Sequence, residues 1–145
     1  MLPEALELIV VTPERQLLHE TVVSVTMPGQ QGELGILPGH APLMTELGIG
    51  ELSYRTANAS EPVSISVICG FAEVLPDRVT VLAETAERAE EINLQRAEEA
   101  KARAEKRLTS SDPTIDWDRA TVALQRALIR IQIATKHHGV HANSH

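Results

Sequence analysis

Four arginines carry the clearest chemical potential in this chain. Arg96 and Arg103 stand seven residues apart, and Arg126 and Arg130 four apart, spacings that place two side chains on one face of an α-helix. A guanidinium presents its donors as a planar fork that matches phosphate oxygens, so two antiparallel helices bringing four of them together would make an anion site. The same residues also read as solvated helix faces with neighbouring glutamates, and such surface pairs contribute little. The other reactive side chains point away from catalysis. His40 has no serine or cysteine near it in sequence to activate, and it reads as a loop contact rather than a general base. Cys69 is the only cysteine; it alternates with apolar strand positions and reads as buried packing rather than a redox sensor. His137, His138, His141 and His145 are loosely spaced in a stretch without apolar period, short of a metal-ligand pattern, so no metal site is expected. Glu33 sits in an apolar, glycine-rich run and reads as an exposed loop carboxylate rather than a group with a raised pKa.

Two kinds of element must position these residues. Up to about residue 84 the chain reads as short strands: Leu6 to Val11, Thr21 to Met27, Val63 to Cys69 and Val79 to Ala83, with apolar and polar residues alternating in several of them. Pro13, Pro28-Gly29, Pro38-Gly39, Gly48, Gly50, Pro62 and Pro76-Asp77 break the pattern at short intervals, as an antiparallel sandwich or barrel requires. The period then changes. Ala86 to Leu108 is rich in Ala, Glu, Lys and Arg without Gly or Pro, which predicts a helix. Thr109-Ser110-Ser111-Asp112-Pro113 ends it. A second helix starts near Thr114 to Asp116 and carries Ala120, Leu124, Ala127, Ile131 and Ala134 at alternating spacings of four and three. The expected layout is a sheet domain over 1–84, a helical hairpin over 85–136 and a flexible tail over 137–145. Alanine-rich stripes bury little surface, so the hairpin is expected to be weakly held and mobile.

Between the early strands lies Gly32-Glu33-Leu34-Gly35-Ile36-Leu37-Pro38-Gly39-His40-Ala41-Pro42-Leu43. Three glycines and two prolines in an apolar run predict a shaped loop, a docking contour rather than packing bulk, in which Gly35 is expected to matter. Composition narrows the function further. Residues 1–84 carry 11 acidic and 3 basic side chains, a net −8 within a whole-chain charge of −7, so phosphate backbones are repelled. Trp117, Tyr54 and Phe71 are the only aromatics, too few for a base-stacking platform. No nucleic-acid partner is expected. A single cysteine fits a reducing compartment. No run approaches the roughly 20 apolar residues of a membrane span, and no signal peptide is visible, so membrane contact is expected only through a partner.

Val11-Thr12-Pro13-Glu14-Arg15, the Gly32 to Leu43 run, and Gly70-Phe71-Ala72-Glu73-Val74 leading into Val79-Thr80-Val81-Leu82 together resemble the epsilon subunit of bacterial and plastid-type rotary ATP synthases. The resemblance spans nearly the whole chain. It implies an α+β fold, an N-terminal antiparallel β-sandwich followed by a C-terminal two-helix antiparallel hairpin. It also implies a non-catalytic rotor subunit that grips the gamma subunit and rests on the c-ring, with Glu33 matching the c-ring contact and His40 lying near gamma. The hairpin would fold against the sandwich or extend to meet the catalytic and non-catalytic head subunits, obstructing hydrolysis; Arg119, Arg126, Arg130 and Lys136 would face acidic segments there. The implied location is the cytoplasmic face of a bacterial inner membrane, peripheral, or alternatively a thylakoid membrane. Where the family usually reads Ser-Gly-Gly-Phe, this chain has Ile68-Cys69-Gly70-Phe71, so one strand-end glycine is a cysteine.

No cofactor is required by this resemblance, but a regulatory ATP is implied. Some bacterial members bind ATP through Ile-Asp-x-x-Arg-Ala on the first helix, where this chain reads Ile92-Asn93-Leu94-Gln95-Arg96-Ala97. Asn93 offers a neutral carbonyl and an amide donor where aspartate offers a charged acceptor. Glu87, Arg96, Arg103, Arg126 and Arg130 complete the expected set. A free-standing ATP sensor would bind nucleotide and close its hairpin without a partner, and a small hydrolase would need a nucleophile and base that the sequence does not supply.

Overall fold

The computed structural model describes residues 2–142, with side chains through His137. It divides between Arg88 and Ala89 into two compact units. The first is a single seven-stranded sheet: β1 (Leu6–Val11), β2 (Gln16–Val22), β3 (Ser24–Gly29), β4 (Gly32–Ile36), β5 (Leu43–Arg55), β6 (Val63–Leu75) and β7 (Arg78–Arg88). The strand order is β2-β1-β7-β6-β5-β3-β4. Every pairing is antiparallel except β1 with β7, which is parallel. The apolar run expected as one strand from Thr21 to Met27 breaks at Val23, whose amide donates to the Arg55 carbonyl.

One sheet encloses one core because its three long strands change face along a common line. In β6, Ile65 and Val67 are buried in the core, and beyond the line it is Ala72 and Val74; in β7 the core positions are Val79, Val81 and Ala83, then Ala86; in β5 they are Leu47, then Leu52 and Tyr54. Strict alternation would carry odd-numbered β6 positions into the core throughout. The register shows where it fails. The ladders pair Leu47 with Gly70 and Ile49 with Ile68, and Gly70 with Ala83 and Ile68 with Thr85, stepping over Gly48, Cys69 and Glu84. At that step Cys69 has φ +58° and Gly70 φ +132°. A left-handed residue turns a strand's faces over, and glycine supplies the freedom to do it within a continuous sheet.

This corrects the reading of Cys69. Alternation places it in the core, whereas it is only half-buried and sits at the crease in a conformation that favours glycine. The neighbouring Gly70 admits nothing larger, since a Cβ there would lie 2.1 Å from the Leu82 carbonyl oxygen.

The second unit is a 3-10 turn (Ala89–Glu91), α1 (Leu94–Leu108) and α2 (Trp117–Ala142). The helix expected from Ala86 begins eight residues later. Ala86, Glu87 and Arg88 pair with Val67, Ser66 and Ile65 of β6, and the core takes Ala86; ladder bonds and burial override the helical propensity of Ala-Glu-Arg. Asn93 then marks the start of α1, its Oδ1 accepting the Arg96 amide at 3.1 Å. Thr109 closes the helix, with Lys106 and Arg107 placed favourably for the dipole. Asp112 organises the turn by accepting from the Thr114 amide and hydroxyl at 2.9 and 2.8 Å. Asp116 caps α2 through the Arg119 amide at 3.1 Å.

The two helices pack on each other, with alanines buried at heptad spacing, Ala97 and Ala104 on α1 and Ala120, Ala127 and Ala134 on α2, and with Ile129 and Ile133 of α2 also buried. Each buried methyl contributes about 0.8 kcal/mol, against about 1.5–3 for a leucine. Leu124 and Ile131 of the expected stripe are half-buried. The helix continues to Ala142, through positions 137–142 of the expected tail. Residues 143–145, and the side chains of His138, His141 and His145, lie outside the described residues. No described helix is long and apolar enough to cross a membrane.

Candidate docking and ligand surfaces

The glycine-rich run is half strand and half loop. Gly32 to Ile36 is β4, an edge strand paired to β3, with Gly35 opposite Thr26. Only Leu37 to Pro42 is a loop. The Gly39 amide donates to the Pro76 carbonyl at 2.7 Å and the His40 amide to the Leu37 carbonyl at 3.1 Å. Gly39 has φ +87°, so the loop's contour depends on it. Gly35, expected to shape a loop, lies instead in a strand with open space where a Cβ would go, which corrects the loop reading of this position. His40 is half-buried, with Nδ1 2.7 Å from the carbonyl oxygen of Ala41. Glu33 is exposed and lines an open cleft of about 650 Å³ shared with Leu34, Met44 and Glu46.

A second surface escaped the sequence reading. Ladder register sets Glu46 beside Phe71, Phe71 beside Leu82, and Leu82 beside Val11. Directly paired residues share a face, so these form one row across four strands on the outside of the sheet. Phe71 is 53% exposed and Leu82 56%. They wall an apolar groove of about 370 Å³ with Val11 and Pro13 from the β1–β2 turn. The signal was hidden because Phe71 points outward only after the faces turn over at Cys69.

In the hairpin unit, Arg96 and Arg103 lie on α1 and Arg126 and Arg130 on α2, while Glu87 belongs to β7 in the sheet unit. Asn93 uses its side-chain oxygen to cap α1. Arg126 lines an open cleft of about 760 Å³ beside Arg107 and Arg119, with Asp116 and Asp118 on the same wall; Arg96, Arg103 and Arg130 do not line it. Arg107 was missed because it stands in the last turn of α1, where it reads as a dipole partner. The Asp112 carboxyl is held below the ordinary aspartate range by the hydrogen bonds from the Thr114 amide and hydroxyl. Among the described residues no group of three or more His, Cys, Asp or Glu is arranged to hold a metal.

Both units match known proteins. The family model described as ATP synthase, Delta/Epsilon chain, beta-sandwich domain matches residues 5–89, and the one described as its long alpha-helix domain matches 90–135. The chain is 47% identical to the ATP synthase epsilon chain of Syntrophobacter fumaroxidans over 92% of its own length and 98% of that relative. It is 51% identical to the epsilon chain of Koribacter versatilis over 76% of each. Among solved structures, a chain of the Euglena gracilis mitochondrial ATP synthase, OSCP/F1/c-ring assembly, shares the fold with TM-score 0.77 at 23% identity, over 88% of this chain and 80% of that one. With a sheet unit and a two-helix unit each matched in order, and close relatives matched nearly end to end, the chain belongs to the ATP synthase epsilon-chain family.

Proposed function

We propose that this chain is a non-catalytic central-stalk subunit of an F-type ATP synthase, carrying c-ring rotation to the catalytic head and restraining ATP hydrolysis through its hairpin. Family membership supports the assignment, as does the likeness in fold to chains of assemblies described as F1/c-ring and central stalk/c-ring. The observation that carries it is the contrast between the two units. One is a continuous hydrogen-bonded sheet with an exposed apolar row and an anchored loop, suited to holding partners. The other is a hairpin whose buried helix positions are mostly alanines, with Ile129 and Ile133 the two larger buried side chains, so limited apolar area opposes its rearrangement.

In this reading the Phe71–Leu82 face and the His40 loop dock the gamma subunit, and Glu33 meets the c-ring. The hairpin's basic residues, Arg119, Arg126, Arg130 and Lys136, meet the head subunits when it extends. Attachment is peripheral, through the complex, at the cytoplasmic face of a bacterial inner membrane or on a thylakoid membrane. ATP is a regulatory ligand rather than a substrate, held within the hairpin unit by Arg96, Arg103, Arg126 and Arg130 with Asn93; a ligand that prefers one hairpin state shifts the equilibrium by its differential affinity.

Two measurements test this. The full chain co-purifies with gamma, and removal of residues 89–145 leaves that association intact while raising ATP hydrolysis by the reconstituted complex. Loss of assembly on truncation refutes the modular reading. Calorimetric titration of ATP into the chain gives binding that Arg126→Ala abolishes; absence of binding in wild type removes the nucleotide role and leaves the rotor role standing.

A further inference from the structure

The apolar row on the outer face of the sheet is bordered by carboxylates. Glu46 occupies the end of the row itself, beside Phe71. Glu73 lies in the next row, between Met44 and Thr80. Glu84 lines the groove next to Leu82. All three are exposed. Following the ladders outward, one row reads Glu46, Phe71, Leu82, Val11 and Gln16, and the next Met44, Glu73, Thr80, Ile9 and His19. Neither row contains a lysine or arginine. The acidic bias of residues 1–84, net −8, makes the long-range field over this face negative as well.

We propose that this face selects a partner segment presenting an apolar side chain ringed by lysine or arginine, and that the acidic border steers that segment onto Phe71 and Leu82. The inference rests on the gamma-docking reading above and assigns the chemistry of the gamma surface that would sit here. The division of labour follows from the arrangement. Phe71 and Leu82 lie at the centre of the patch, where burial on docking removes water and slows dissociation. Glu46, Glu73 and Glu84 stand on the rim, where solvent screens each pair and charge acts mainly on the rate and selectivity of encounter. A second copy of this chain is a poor occupant, because two such faces would oppose six carboxylates around one apolar centre.

The test uses the full chain and the gamma-containing core of its complex depleted of this subunit. Association and dissociation rates are read separately between 50 and 300 mM NaCl, roughly the range over which the screening length falls through 10 Å. Wild-type association slows by about tenfold across that range. The triple variant Glu46→Gln/Glu73→Gln/Glu84→Gln loses about fivefold to tenfold in low-salt association rate and flattens the salt dependence. A control with the same net charge, Glu4→Gln/Glu20→Gln/Glu61→Gln, stays within about twofold of wild type. Phe71→Ser speeds dissociation about tenfold or more and leaves the salt slope unchanged.

If the core binds the triple variant with the wild-type rate and slope, the acidic border is overturned and gamma docking stands. If Phe71→Ser leaves dissociation unchanged, gamma sits elsewhere and the assignment of this face is overturned. If wild type fails to bind the core at all, the parent reading falls and this one with it. Sedimentation of the chain as a dimer that Phe71→Ser dissolves would give the face to a second copy and overturn the proposal.

Discussion

Replacing Gly70 by alanine places one methyl group where β6 and β7 leave no room. The added Cβ would lie 2.1 Å from the Leu82 carbonyl oxygen, 2.8 Å from the Ala83 Cα and 3.0 Å from the Leu82 carbonyl carbon. All three neighbours are backbone atoms, so no rotamer change relieves the contact; β7 itself must move. Alanine at φ +132° adds conformational strain of about 1–3 kcal/mol. Overpacking costs a similar amount, about 1–3 kcal/mol, so the expected loss is about 3 kcal/mol or more. Global unfolding of the sheet is best read by native-state hydrogen exchange of the β6 and β7 amides, because Trp117 reports on the hairpin instead. A loss of 3 kcal/mol accelerates that exchange by about two orders of magnitude. The companion change, Cys69→Gly, relieves a left-handed residue at φ +58°. That relief is worth about 1–2 kcal/mol against about 0.5–1 of glycine entropy, so exchange slows by a few-fold. Less than tenfold acceleration in Gly70→Ala, or marked acceleration in Cys69→Gly, would refute the account of the crease.

Gly35→Val is accommodated: open space surrounds the position and valine suits an edge strand, so melting temperature changes by no more than about 2 °C, as for a change within ±0.5 kcal/mol. Asn93→Ala removes the α1 cap and destabilises the hairpin by about 1 kcal/mol, read as faster exchange of the Leu94 to Ala97 amides; Asn93→Asp restores protection, since a carboxylate also caps and favours the helix N-terminus. Asp112 has a folded pKa below its unfolded value, so its contribution is present above the ordinary aspartate range and is lost as pH falls through the lower, folded value. Acid titration followed by Trp117 fluorescence shows a loosening of the hairpin turn that is absent in Asp112→Ala.

Much of this was legible in the sequence because local chemistry and tertiary demand agreed. Alternation in Ile65 and Val67 survives as burial, the Thr109 to Pro113 break is the hairpin turn, and the alanines at 120, 127 and 134 form the buried heptad positions of α2. Agreement fails where distant ladders decide. Nothing local distinguishes Ala86-Glu87-Arg88 from a helical start; only the pairing to β6 makes it strand. Cys69 reads as a core position until the faces turn over there, and every outward assignment beyond it, Phe71 included, depends on that reversal. Of the expected ligand set, the sequence gives residue types and helix faces, but not that Asn93 caps α1 or that Arg126 shares its cleft with Arg107 and Arg119.

The crease has a mechanical meaning. Two separate sheets pressed face to face resist sliding only through interdigitated side chains, a contact that yields gradually under lateral load. Here the strands β5, β6 and β7 run through the fold line from one layer into the other, so relative sliding of the layers must stretch covalent backbone or break rows of ladder hydrogen bonds together. Load applied at the β4 edge therefore reaches β1 and β2 along a connected lattice instead of across an oily seam. A body built this way is stiff in shear, the property that the proposed rotor role would ask of an element gripped on two surfaces.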